Sequence, residues 1–195
     1  MNICKVVYMY SDELLEFVIK NPATKSPGDL TNIIICGSVG LYPCYEIAWL
    51  PDNLTVLGDL VLSDNSTLQA LPKGLFVAGN LYIDGTSIKG IPEDMEVYGD
   101  IHAEGMDLIF PETFRTNRSL YLNREVDSSS DAKMSPLKLP KVSLKVGGDF
   151  DISNRSVETF PMRLKVAGRF ILSRGDPNTP GAGIRSIEYT SITVQ

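Results

Sequence analysis

The sequence is poor in the residues that most often perform chemistry. Its 195 residues include one histidine, one tryptophan and three cysteines. The single histidine, His102, excludes a multi-histidine metal site and leaves one candidate general base. No known motif sets a serine or cysteine beside it, and a base needs a positioned nucleophile and an orienting partner. Cys4, Cys36 and Cys44 are odd in number and fit neither zinc nor redox spacing, so free thiols in a reducing compartment are expected. No stretch approaches the ~20 apolar residues of a spanning helix. The first apolar run, Val6 to Tyr10, is too short for the core of a secretory signal.

Two further absences bear on ligands. Gly147-Gly148-Asp149 is not followed by the lysine and hydroxyl residue of a phosphate-binding loop. Asp149, Asp151 and the Asp127 to Asp131 stretch lack the regular ligand spacing of a calcium loop. Positive charge is also in short supply, with 18 Lys and Arg against 24 Asp and Glu and a net charge of −6. That balance argues against a dedicated nucleic-acid binder, whose phosphate contacts need a basic surface. The expectation is a cytoplasmic, non-enzymatic protein without catalytic residues, metal, cofactor, membrane association or direct contact to nucleic acid.

What the chain does contain is a repeat. Leu54-Thr-Val56-Leu-Gly58-Asp-Leu60-Val-Leu62 returns from Leu75 to Ile83 and from Met95 to Ala103. A worn copy spans Phe114 to Leu122, and clean copies span Leu144 to Ile152 and Leu164 to Leu172. An upstream copy runs from Ile33 to Leu41. The corner positions of the six later copies are 58, 79, 99, 118, 148 and 168. Pro51, Pro72, Pro92, Pro111, Pro140 and Pro161 keep nearly the same step. Two landmarks sharing one period of about 20 residues mark a solenoid, whose coils cannot bury their apolar face alone and must stack.

Within a copy, apolar residues alternate on either side of the corner glycine (Leu54 and Val56, then Leu60 and Leu62). Period-two alternation predicts strands with one face buried. The glycine suits a corner where a side chain would obstruct the backbone. The last third of each coil adds two more apolar positions, as in Leu68 and Leu71, or Val157 and Phe160. Each coil therefore offers about six inward side chains.

The coil resembles the leucine-rich repeat in the run Leu60-Val-Leu62-Ser-Asp-Asn65-Ser-Thr-Leu68-Gln-Ala-Leu71-Pro72. From Val77 to Pro92 the pattern is similar to the short leucine-rich-like repeats of many bacterial and bacteriophage proteins. The resemblance implies a protein-binding solenoid, here a phage-encoded one. The asparagine position of the repeat is kept at Asn65 and replaced by Thr86, Met106, Glu125, Arg155 and Gly175 in the other coils. Without that ladder a parallel β-helix is the alternative architecture.

The expected organisation is an N-terminal strand–helix cap over residues 1–29 and a solenoid of six to seven coils over residues 30–195. A strand from Ile3 to Tyr10 and a helix from Ser11 to Ile19 would form the cap. A loop insertion is expected near 124–139, where the corner step lengthens. On the strand after each corner, the outward residues place Tyr82, His102 and Tyr121 in one row, bordered by Asp84, Asp100 and Glu104. In leucine-rich repeats this strand lines the recognition surface. These six residues are the candidate contact site for a protein partner with a basic patch, since tyrosine offers large contact area at low entropic cost. The competing explanation is that such residues merely suit exposed strand positions. An acid-rich face would also suit an inhibitor of a host complex, such as a defence machine. The alternative function is a self-associating structural protein of a virion or scaffold, and the sequence fixes no oligomeric state.

Overall fold

A computed structural model describes residues 6–9, 13–14, 32–40, 47–124, 135–173 and 185–188. The chain is a parallel-strand β-solenoid of about six turns. Contacts divide it into two compact units, Met1–Gly99 and Asp100–Gln195.

In the first unit the strands ahead of each corner form a five-stranded sheet. Val6–Met9 pairs with Asn32–Ile35, followed by Leu54–Val56, Phe76–Val77 and Glu96–Val97, all parallel. The strands after the corner, Val39–Gly40, Leu60–Val61 and Leu81–Tyr82, pair in the same order. In the second unit the leading strands are Thr113–Thr116, Ser143–Val146 and Arg163–Val166, a three-stranded parallel sheet. Its trailing strands run Ile101–His102, Leu120–Tyr121, Phe150–Asp151 and Arg169–Ser173. Arg185–Glu188 then joins Arg169–Ser173 antiparallel.

Of the two architectures the repeat allowed, the structure is the parallel β-helix. Both the leading and the trailing segment of each described coil build a sheet, and the turn between them is a glycine corner except at Arg118. Where the asparagine survives, it acts locally: buried Asn65 accepts from Thr67 N at 3.2 Å and Leu68 N at 3.1 Å. Thr86 substitutes with a bond to the Ile83 carbonyl at 2.7 Å. Arg155 uses the position differently. Its guanidinium donates to the Met106 carbonyl at 3.0 Å and to Asp107 at 2.7 Å, and burial pulls its pKa down while Asp107 pulls it up.

The inward positions match the alternation. Leu54, Val56, Leu60, Leu62, Leu68 and Leu71 are all buried, as are Leu75, Val77, Leu81, Ile83, Ile88 and Ile91. In the second unit Phe150 and Phe170 stack face to face between coils at 5.3 Å. The pattern fails at Phe160, which is 45% exposed. There the coil's third side is a short strand, Val157–Thr159, paired with Leu137–Lys138, and Phe160 meets only the edge of Phe170 at 6.2 Å.

Of the expected cap, the Val6–Met9 strand is seen, and Glu13 and Leu14 are helical with Leu14 buried. The rest of that helix lies outside the described residues. Residues 125–134 of the expected insertion also lie outside them, whereas Leu137–Lys138 is a strand with Leu137 buried.

Candidate functional site

The corner determines how the outward residues are presented. A Cβ at Gly58 would lie 2.5 Å from Ser38 N, and one at Gly79 would lie 2.7 Å from the Gly58 carbonyl carbon. Gly99, Gly148 and Gly168 are equally crowded by the preceding coil. None of these five has a positive φ, so it is close approach between coils that selects glycine.

The residue after each corner uses that closeness. Ser38 Oγ accepts from Asp59 N at 3.0 Å, and Asp59 Oδ1 accepts from Asn80 N at 2.7 Å. In the second unit Asp100 Oδ1 accepts from Ser119 N at 2.8 Å, Ser119 Oγ from Asp149 N at 3.1 Å, and Asp149 Oδ1 from Arg169 N at 2.7 Å. Each side chain thus caps the N–H of the equivalent residue one coil on. Arg169 also clamps Asp149 Oδ2 through its guanidinium at 2.6 Å and 3.0 Å. That hydrogen bond holds the Asp149 carboxyl below its usual range, against the opposing effect of burial.

The six candidate residues therefore divide by role. Asp100, counted in sequence among the contact residues, is half-buried and occupied by the corner ladder. Tyr82 and Asp84 belong to the first unit. The Tyr82 hydroxyl accepts from Asn80 Nδ2 at 3.3 Å, and Asp84 accepts from the Ser63 hydroxyl at 2.8 Å. His102, Glu104 and Tyr121 come together in the second unit. The His102 and Tyr121 rings stack at 4.7 Å with an 18° tilt, because Tyr121 is the register partner of His102 on adjacent parallel strands. His102 Nδ1 lies 3.2 Å from Glu104 Oε1, and the two side chains retain 24% and 32% exposure.

The row does not continue as the alternation predicts. Asp151 and Ile171, the outward register partners after Tyr121, are both buried. The Asp151 carboxylate accepts from Ser153 N at 2.9 Å. Phe150 and Asp151 are both buried, and in the last coil the alternation inverts, with Ile171 buried and Leu172 38% exposed, so the accessible part of the row in this unit is the His102–Tyr121 stack.

Chemically, the stack offers an aromatic plane with a carboxylate at its edge. His102 is held between the Glu104 carboxylate on its own strand and the Tyr121 ring of the next coil. No group of three or more His, Cys, Asp or Glu among the described residues could hold a metal ion, and none of the described helices is long and apolar enough to cross a membrane. In the first unit, a groove of about 530 Å³ is lined by Trp49, Asp52, Thr67, Gln69 and Leu71. Sequence reading did not anticipate it. Its carboxylate, Asp52, is engaged by Lys73 N at 2.9 Å.

No family model, curated protein or solved structure matches the chain. The likeness to short bacterial and bacteriophage repeats therefore rests on the motif spacing alone.

Proposed function

We propose that the protein is a non-enzymatic binding module that engages a protein partner through the outward side of its trailing strands. The observation that carries this reading is the half-exposed His102–Tyr121 stack with Glu104 at its rim. A rigid, preoriented aromatic pair loses little entropy on contact, and an adjacent carboxylate selects for a basic neighbour. Tyr82 and Asp84 repeat the same pairing of phenol and carboxylate in the first unit. Asp100 is assigned to the fold. A phage source and inhibition of a host complex would suit such a module, and the partner's identity would decide them.

The test is affinity capture from the native host with wild type, Tyr121→Ala and Tyr82→Ala, each checked for an unchanged melting curve. Removing an aromatic anchor at an interface is expected to cost about 2 kcal/mol or more, roughly thirtyfold in affinity. Capture of the same partner by Y121A at wild-type level would remove the stack from the interface.

A further inference from the structure

The leading strands of the second unit carry a feature that the trailing face does not explain. Their register places Arg115, Lys145 and Lys165 side by side across Thr113–Thr116, Ser143–Val146 and Arg163–Val166. The neighbouring outward row is Thr113, Ser143 and Arg163 in the same register. The outward positions of these three strands therefore hold four cations and no carboxylate, in a chain whose net charge is −6. Arg115, Lys145, Arg163 and Lys165 are all exposed. None of the four side chains makes a hydrogen bond or ion pair among the described residues. The nearest carboxylate in sequence, Glu112, stands ahead of the first strand.

Like charges directly opposite on neighbouring strands destabilise a sheet. Three in a row, at the ~4.8 Å strand spacing, are a cost that the fold itself does not recover. A ligand of opposite sign would recover it. One residue ahead of the second and third strands stand two exposed apolar side chains, Val142 (39%) and Met162 (70%), at the position that Glu112 takes ahead of the first. They are held adjacent because Met162 N donates to the Lys141 carbonyl and Arg163 N to the Val142 carbonyl, both at 3.1 Å. A phosphate backbone would make no use of them, and the outward positions of the three strands carry no aromatic ring on which a base could stack. A protein segment would use both features. On a helix, carboxylates at i, i+4 and i+7 recur about 5–6 Å apart, close to the strand spacing, so a helix laid across the strands would meet one cation per turn.

We propose that this face is a second docking surface, and that its partner is an acidic amphipathic helix of another protein lying across the three strands. Arg115, Lys145 and Lys165 take successive carboxylates, and Met162 with Val142 takes an apolar residue beside them. The surface is distinct from the His102–Tyr121 stack and does not depend on it.

The test uses the full chain and two labelled synthetic peptides of identical composition, each about 18 residues and about 27 Å long as a helix. One carries glutamates at i, i+4, i+7 and i+11. The other has the same residues scrambled, so that no helical face repeats them. By fluorescence anisotropy at about 0.01 M ionic strength, where charges interact over about 30 Å, the ordered peptide is expected to bind at least about tenfold tighter. The triple variant R115Q/K145Q/K165Q is expected to lose that binding. Because a loss could also come from unfolding, Lys145→Glu is the second variant. It puts a carboxylate between two cations, so binding should fall while the melting temperature holds or rises. Equal binding of both peptides, or binding unchanged by either variant, overturns the proposal. It is also overturned if a single-stranded oligonucleotide binds tighter than the ordered peptide through the same residues.

Discussion

Single residues in this protein are constrained for two separate reasons, and glycine shows both. Gly79 has ordinary φ but lies under the preceding corner, where an added Cβ would be 2.7 Å from the Gly58 backbone. Gly105 is the reverse case, with φ +70° and nothing within 4 Å of an added Cβ. The equivalent positions in other coils are Gly85 (φ 68°), Asp64 (φ 60°) and Asn154 (φ 61°), the residue types that tolerate left-handed backbone. Gly79→Ala should therefore destabilise by about 1–3 kcal/mol, as overpacking does, whereas Gly105→Asn should melt near wild type. Thermal or urea unfolding of the two variants checks this; a G79A protein as stable as G105N would contradict the close-approach explanation. The corner glycines were legible in sequence as a period. Their cause was legible only as obstruction, because no sequence signal separates a crowded corner from a left-handed one.

At the level of the strand and its corner, the side chains of Ser38, Asp59, Asp100, Ser119 and Asp149 each cap the next coil. The signal was present in sequence: Ser38, Asp59, Asn80, Asp100, Ser119 and Asp149 all carry a side-chain oxygen at that step. Reading the strand only as inward and outward assigned Asp100 to a binding face, since alternation gives direction but says nothing of what lies one coil above. The same limit concealed the burial of Asp151 and Ile171. The cation row on the leading strands is equally present in sequence, as the residue between the two inward positions ahead of each corner at Arg115, Lys145 and Lys165. A consequence at this scale concerns pH. Because Arg169 lowers the folded pKa of Asp149 below its usual value of 3.8, the stability from this contact is fully present above that value. It is lost as pH falls through the lower folded pKa. The melting-temperature gap between wild type and Arg169→Gln should be constant from neutral pH down to about 4 and close below it. A gap that persists unchanged in stronger acid would show that the Asp149 contact is not its source.

For the molecule as a whole, the repeat and the inward side chains were readable because stacking coils impose one period on every level of structure. The choice between leucine-rich repeat and β-helix turned on whether the leading segment also forms a sheet, which short alternating runs leave open. Net charge was the least informative quantity. In the second unit, Glu104 borders the trailing face while Arg115, Lys145, Arg163 and Lys165 occupy the leading one, and a sum over the chain erases that segregation. The ends of a stack of strands are where self-association would begin. Arg185–Glu188 closes the trailing sheet of the second unit with an antiparallel partner, which interrupts the parallel series. The protein is accordingly expected to be monomeric by light scattering at micromolar concentration; a salt-insensitive oligomer would favour the assembly role instead.

The corner cap between Ser119 and Asp149 spans a step of 30 residues with the same geometry that others achieve in about 20. Registry between coils is thus carried by the corners, and the length of chain between them is free to vary. A stack held in this way can accept a longer step between two corners and still keep the hydrogen bond that sets one coil on the next.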